Sequence, residues 1–315
     1  MTRTIFIAAA LALAVTLPDA PAQAAGAART FLSAAGSDSN NCTNVSTPCR
    51  HMAAAYAATA PNGEIYVLDP ANYGSLTITG PVSIEGHGWA SIAPVSANPA
   101  ITINANTGDN INIIGVVLDG TALPATTGIR FNSGGSLTVQ DSVIRNFLSD
   151  GIDFLPSAST ATQLSVTNTL LADNGGSGIS VTPSGSSTVT VALNRVQASN
   201  NGSDGFVFFG GANPGSTDVT ASDSSATGNG RAGFTADTSQ APITLTLYRS
   251  VAANNVGSGL QSFGTGATIR AANSMVTGNI LQGWNLSDGV LATYGDNYID
   301  GNGGNVGSSS PVSKQ

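Results

Sequence analysis

The sequence predicts an all-β fold, a solenoid of stacked parallel coils, and three observations point to it. The first is a glycine followed by an apolar residue: Gly128-Ile129, Gly151-Ile152, Gly178-Ile179, Gly205-Phe206, Gly233-Phe234, Gly259-Leu260 and Gly283-Trp284. Successive glycines stand 23, 27, 27, 28, 26 and 24 residues apart, a period that belongs to one coil of a stacked repeat and not to a separate domain. The second is an asparagine four or five residues before a glycine of this series, at Asn146, Asn174, Asn201, Asn229, Asn255 and Asn279, with Asn302 continuing the column. The third is composition. Charged residues are only 9% of the chain and glycine supplies 38 of 315 residues, a balance that suits strands and tight turns better than helices. A hydrophobic content of 41% is enough for a substantial core.

Each coil reads in the same order. Apolar pairs such as Leu137/Val139, Leu164/Val166, Val189/Val191 and Leu245/Leu247 alternate with polar residues, which buries one face of a strand. A polar corner follows, at Asp141, Asn168, Asn194, Asp223, Arg249, Asn273 and Asp296. Then come a short strand, the asparagine turn and the corner glycine. Stacked asparagines can form amide ladders along the axis. Asparagine tolerates left-handed backbone and glycine adopts it without steric cost, so both are expected at left-handed corners.

Beyond the glycine, residues point in, out and in. The inward stack is Ile129/Phe131, Ile152/Phe154, Ile179/Val181, Phe206/Phe208, Phe234/Ala236, Leu260/Ser262 and Trp284/Leu286. Its aromatics are expected as core stacks and not as a sugar platform. The outward column is Arg130, Asp153, Ser180, Val207, Thr235, Gln261 and Asn285, and a second, mostly hydroxyl, is Thr138, Ser165, Thr190, Thr220, Thr246 and Arg270. Ile65–Val67, Leu76–Ile78, Val82–Ile84, Ile101–Ile103 and Ile111–Leu118 supply earlier strands. Residues 62–307 then hold about nine coils, a rod on the order of 40 Å long.

The ends differ from the body. Residues 1–24 read as a signal peptide: Arg3, an apolar Ile5–Leu17 segment, and Ala22-Gln23-Ala24 as the cleavage site. The apolar run is too short to span a bilayer. Residues 25–61 suit an N-terminal cap, because an uncovered end strand invites pairing with other chains. Thr47-Pro48 is a helix start and Cys49–Ala60 an Ala-rich short helix, in which His51 has a packing or solvent-facing role. Cys42 and Cys49 read as a disulfide of an exported chain, since the spacing is wrong for Cys-x-x-Cys and no histidines complete a zinc set. Residues 308–315 read as a flexible tail.

This combination resembles the right-handed parallel β-helix proteins of the pectin lyase-like superfamily. The resemblance is carried by Gly36-Ser37-Asp38, Pro48-Cys49-Arg50 with the Ala-rich helix, Gly63-Glu64-Ile65-Tyr66-Val67, Tyr73-Gly74 through Ile84, and the Asn/Gly coils. More closely, it resembles an exported bacterial group with a Cys-bearing N-terminal cap, whose activity is largely unknown. The resemblance implies a right-handed parallel β-helix with a short capping helix. It leaves activity open, because the superfamily holds lyases, hydrolases, epimerases, esterases, adhesins and non-enzymes.

Polygalacturonase-like members carry Asn-Thr-Asp, Asp-Asp, Gly-His-Gly and Arg-Ile-Lys, in that order. Ser149-Asp150-Gly151-Ile152-Asp153 resembles the first and Gly86-His87-Gly88 matches the third, but the order is reversed, and no Asp-Asp pair or Arg-x-Lys exists. Lyases of this fold resemble one another in using Ca²⁺ held by acidic residues with Arg or Lys as base. Lys314 is the sole lysine. The densest charge cluster is Asp119, Arg130, Asp141, Arg145, Asp150 and Asp153. It supplies Arg130, Arg145, Asp150 and Asp153 as catalytic candidates, and Asp141, Asp150 and Asp153 as Ca²⁺ ligands. The competing reading pairs Arg130 with Asp153 across adjacent coils on an exposed face, where it contributes little stability.

The expectation is an exported β-helix protein, carbohydrate-associated or surface-structural, without the standard catalytic set of the fold. The alternative is a Ca²⁺-dependent polysaccharide lyase or related carbohydrate-active enzyme. A net charge of −8 disfavours nucleic acid, anionic membranes and unbridged acidic polysaccharide. The expected partner is a polysaccharide or cell-surface glycan, and the expected state a secreted or periplasmic monomer with no membrane span after signal removal.

Overall fold

A computed structural model describes residues 26–94, 98–121, 125–157, 160–185, 188–211, 215–238 and 240–313. The expected signal peptide lies outside the described residues. The chain winds as stacked coils whose strands pair in parallel with the coil before and the coil after. The strands that follow the glycine corners form a nine-stranded sheet, from Leu76–Ile78 and Ile101–Asn104 through Ile129–Ser133, Ile152–Phe154 and Ile179–Val181 to Gln282–Ser287. Nine rungs agree with the nine coils expected and enclose eight turns.

The second sheet has twenty strands and bends over a corner into a long and a short face. The long face includes Thr162–Thr167, Thr188–Asn194 and Ser216–Ser222, and the short face Leu170–Ala172, Gln197–Ser199 and Ser225–Thr227. Inward side chains from all three faces make one continuous core. Phe131 stacks on Phe154 at 4.3 Å between ring centroids and Phe206 on Phe234 at 4.9 Å. The inward aromatics are therefore core stacks, as the alternation predicts.

The corners hold the departures from expectation. The bend between the long and short faces is left-handed at Asp141, Asn168, Arg195, Asp223, Arg249 and Asn273, with φ between 46° and 53°. Arg195, not Asn194, takes that corner, and Ala192, not Thr190, pairs with Ser165 and Thr220. With Arg195 at the bend that coil keeps the spacing of its neighbours: Asn168, Arg195 and Asp223 each stand five residues before the next left-handed position. The seven series glycines are absent from the left-handed positions, which fall instead at Asn146, Asp173, Asn200, Gly228, Asn254, Gly278 and Gly301. Asn146 therefore leaves the asparagine column: its rung of the ladder is occupied by Phe147, whose N–H donates to Asn174 Oδ1 at 3.2 Å.

From Asn174 onward the amide ladder is continuous. Each Nδ2 donates to the next Oδ1, through Asn201, Asn229, Asn255, Asn279 and Asn302, at 2.8–3.0 Å. A second ladder runs along the other corner. The N–H groups of Val116, Val196, Ser224 and Ser250 donate to the hydroxyls of Ser142, Ser224, Ser250 and Ser274 at 3.1–3.3 Å. Single-residue turns leave these N–H groups without a sheet partner, and the hydroxyl from the next coil supplies one.

The cap is part of the sheet. Ala27–Leu32 pairs in parallel with Thr59–Val67, so sheet structure begins before residue 62. The helix runs Met52–Ala58, shorter than the expected Cys49–Ala60, because Cys49 is held in a bridge to Leu32. Asp38 Oδ1 accepts the N–H groups of Arg50 and His51 at 2.9 Å each, which satisfies donors just ahead of the helix. Cys42 and Cys49 form a disulfide with Cα atoms 5.0 Å apart. At the other end Ser310–Pro311 pairs with Ala292–Thr293 and ties down part of the segment read as a flexible tail. Among the described residues no helix is long and apolar enough to cross a membrane.

The loop between Cys42 and Cys49 is short, so the Cys42→Ser/Cys49→Ser protein is expected to lose about 2–3 kcal/mol by loop entropy. Urea unfolding of the oxidised and double-variant proteins measures it; equal midpoints would show that the cap does not share the cooperative transition.

Candidate functional site

The outer side of the nine-stranded sheet carries one residue per rung. Its column runs in unbroken register through Thr77, Thr102, Arg130, Asp153, Ser180, Val207, Thr235, Gln261 and Asn285. Alternation turns these side chains outward, yet Asp153 is 7% and Thr235 3% exposed. From Asp153 to Gln261 the column is the floor of a recess between the turns before and after each strand. At its N-terminal end a cavity of about 430 Å³ opens beneath the capping helix, lined by Ala53, Tyr56, Ser75, Thr77 and Thr102. Ser75 Oγ and Arg130 Nε are buried without a hydrogen-bond partner.

Three of the expected site residues meet in this recess. Arg130 Nη2 donates to Asp153 Oδ2 at 2.9 Å from the adjacent rung. Asp150, at the corner just before Gly151, accepts the Ser177 N–H at 2.6 Å and is bonded by the Ser149 hydroxyl. Burial pushes the Asp150 carboxyl above its ordinary value, against the Ser177 and Ser149 hydrogen bonds and Arg130. Burial likewise raises Asp153, against the charge of Arg130 and with the charge of Asp150. The Arg130–Asp153 pair does form across adjacent coils, but on a recessed face and not an exposed one.

The other candidates stand elsewhere. Arg145 lies on the short face and pairs with Asp119 at 2.9 Å. Burial works to raise Asp119, but hydrogen bonds from Thr121, Asn146 and Arg145 outweigh it and hold the carboxyl at about 2. Asp141 sits at the left-handed bend, where amides of Asn168 and Gln140 bond it and lower its carboxyl. The six-residue charge cluster thus divides between two sheets and a corner. The three proposed Ca²⁺ ligands do not share a site, and Asp150 and Asp153 are already bonded to Ser177 and Arg130. Among the described residues no three His, Cys, Asp or Glu side chains gather to hold a metal. These residues do not fit Ca²⁺ in the proposed way.

Asp204 belongs to the recess and carries no mark in the sequence beyond its repeat of Ser149-Asp150-Gly151 as Ser203-Asp204-Gly205. It is 1% exposed and accepts from the Ala232 N–H at 3.3 Å and the Thr235 hydroxyl at 2.8 Å, with Arg231 at 3.4 Å. Its partners come from the next coil, which a local motif search does not reach.

The signs of these shifts differ. A carboxyl raised by folding contributes stability below its unfolded value of 3.8 and loses it as pH climbs through the folded value, which holds for Asp150 and Asp153. Asp119 contributes above 3.8 and loses its contribution as pH falls towards about 2. That contribution is about 1 kcal/mol once solvent screening is allowed for. Carboxyl-carbon NMR titration should show midpoints above 3.8 for Asp150 and Asp153 and near 2 for Asp119; a midpoint below 3.8 for Asp153 would mean that the Arg130 charge outweighs burial.

A family profile described as "Right handed beta helix region" matches residues 127–304, more than half of the chain. The chain belongs to this right-handed β-helix family. The pectin lyase-like superfamily implied by the sequence agrees with it. Among solved structures this β-helix protein is similar to pectate lyase Pel9A, at TM-score 0.57 and 17% identity over 92% of this chain and 78% of that one. It is also similar to the Azotobacter vinelandii mannuronan C-5 epimerase AlgE4 A-module, at TM-score 0.48 and 15% identity over 80% and 91% of the two chains. The first likeness establishes the same fold. No curated protein matches the β-helix protein by sequence.

Proposed function

We propose that this is an exported, carbohydrate-associated β-helix protein that binds an extended polysaccharide in the recess along its nine-stranded sheet. The observation that carries this reading is the unbroken column from Thr77 to Asn285, recessed from Asp153 to Gln261. At every rung but Val207 it offers a hydroxyl, amide or charged group, at one strand spacing of about 4.8 Å. The pectate lyase likeness supports the fold of such a cleft and leaves its chemistry to these residues. The net charge of −8 sets the electrostatics against polyanions.

The carboxylates favour binding over turnover. Asp150 and Asp204 satisfy backbone N–H groups of neighbouring coils, and Asp153 neutralises Arg130, so each has a structural partner. A second reading rests on Asp150 and Asp153, two carboxyls three residues apart, recessed and both raised, which is the setting of general acid–base catalysis on a glycosidic bond. In that reading Asp153 or Asp150 donates the proton and Arg130 steadies developing negative charge.

Calorimetric titration with oligosaccharides, alongside assays for reducing ends and unsaturated products, tests both. Binding without turnover, weakened about tenfold or more by Arg130→Ala, supports the first reading. Turnover abolished separately by Asp150→Asn and Asp153→Asn supports the second. No binding and no product with neutral or uronate polymers would overturn both and leave a structural role.

A further inference from the structure

Gly86-His87-Gly88 matches a hydrolase motif but lies away from the recess, at the bend between the long and short faces. There Val82–Ile92 pairs with Asn110–Asp119, and between Glu85↔Ile114 and Ala90↔Val116 four residues, Gly86 to Trp89, stand opposite Gly115 alone. Such a bulge re-aims side chains away from the sheet. Three glycines build it. A Cβ on Gly86 would sit 2.5 Å from Gly115 O, and one on Gly115 would sit 2.8 Å from the N atoms of His87 and Gly88. The backbones of two coils therefore touch, and the chain between is forced outward with His87 at φ 56° and Gly88 at φ 80°. His87 is thus left-handed at the same bend as Asp141 and Asn168, but on a longer excursion of the chain.

The bulge presents rings. Trp89 is 46% exposed. His87 lies 5.6 Å from Trp89 and 4.4 Å from Tyr66, and Tyr66 lies 6.2 Å from Phe31, as ring centroids. Polar groups flank the row: Arg29 stands over the Tyr66 ring at 5.4 Å and pairs with Glu64, and Glu85 lies 3.6 Å from His87. The row thus alternates flat apolar surface with donors and acceptors. Two carboxylates face one guanidinium and one imidazole, so it has no cationic excess to attract a polyanion. One exposed indole with polar neighbours is too small an apolar area for a protein interface core. It matches a pyranose ring, whose axial C–H face stacks on an aromatic while its hydroxyls bond at the edges.

We propose that Trp89, Tyr66 and His87, with Arg29, Glu64 and Glu85, form a second glycan-binding site where the long face meets the bend, selective for neutral sugars and separate from the recess. This rests on the carbohydrate reading above and adds a ligand class and a second surface. Two surfaces on one rigid rod let the protein hold two chains, or two stretches of one chain, with the gain of linked sites.

The test uses residues 25–315 and four hexasaccharides: cellohexaose, mannohexaose and xylohexaose as neutral probes and hexagalacturonate as the charged one. Calorimetry is run on wild type, Trp89→Ala, Trp89→Phe and Arg130→Ala. Trp284→Phe leaves Trp89 as the sole indole for emission. The expected result is a change in Trp89 emission with a neutral probe, a tenfold or greater loss of affinity in Trp89→Ala, most of it restored in Trp89→Phe, and little change in Arg130→Ala. Trp89 is exposed, so its variants should keep the wild-type Tm. Loss in Arg130→Ala with none in Trp89→Ala would overturn the second site and leave the recess. Hexagalacturonate binding tightest at Trp89 would overturn the neutral class. Failure of all four probes to bind wild type would overturn the second site and count against the carbohydrate reading with it.

Discussion

Replacing Asn229 with alanine is expected to cost roughly 3–5 kcal/mol, enough to remove much of the stability of a typical domain. Asn229 is fully buried in the middle of the ladder. Its Oδ1 accepts the Asn201 N–H at 3.1 Å and Asn201 Nδ2 at 3.0 Å, and its Nδ2 donates to Asn255 Oδ1 at 2.9 Å and Ala198 O at 3.2 Å. Alanine removes all four bonds and leaves their partners in a dry interior, where each unmade bond carries its desolvation penalty. Leucine of similar volume would be no remedy, since the same donors and acceptors stay unpaired. Asn302→Ala, at the partly exposed last rung, is expected to cost about 1 kcal/mol because water can replace the amide. Denaturant unfolding of the two variants measures the gradient. Equal losses at both positions would mean that the ladder acts through stacking of amide planes and not through satisfied hydrogen bonds.

That gradient also explains which parts of this fold could be read in advance. The period, the inward stacks and the asparagine column are properties of one coil repeated, so they show in the linear sequence. Features that depend on the neighbouring coil do not. Asn146 resembles its column in residue type and nearly in spacing, yet it stands five residues before Gly151 where the ladder asparagines stand four before their glycines, which places it at the left-handed corner and leaves its rung to Phe147. Asp141 and Asp153 are close in the chain but are separated by two corners, so their charges fall on different sides of the rod. Asp204 joins the recess through Ala232 and Thr235, a coil away. The aromatic bulge escaped for the same reason: Gly115, the residue that forces it out, is 26 or more positions beyond Trp89. A repeat tells where each residue sits within its coil; an offset of one residue decides what it sits beside.

Gly205→Ala is expected to destabilise the fold by about 3 kcal/mol, through overpacking and not through backbone conformation. The corner glycines are not left-handed, so their conformational freedom is not what the position requires. What it requires is space. A Cβ at Gly205 would stand 2.7 Å from Ala226 Cβ, 2.8 Å from Gly233 O and 3.0 Å from Asn229 Nδ2. Gly178 and Gly233 repeat the arrangement, each facing the next glycine's carbonyl at 2.7 Å and the next ladder asparagine at 3.2 and 3.0 Å. The glycine of one coil is thus the clearance for the amide of the next, and the two columns seen in the sequence are halves of one contact. The Phe206 N–H to Gly233 O bond, 2.9 Å long, lies beside the same clash, so relief by moving the strand would lengthen a sheet hydrogen bond. A double-mutant cycle with Asn229→Ala decides between the two accounts. If clearance is the role, removing the Asn229 amide should return part of the Gly205→Ala penalty, a coupling of about 1 kcal/mol. Strict additivity would place the whole penalty in the backbone carbonyl of Gly233 and separate the two columns.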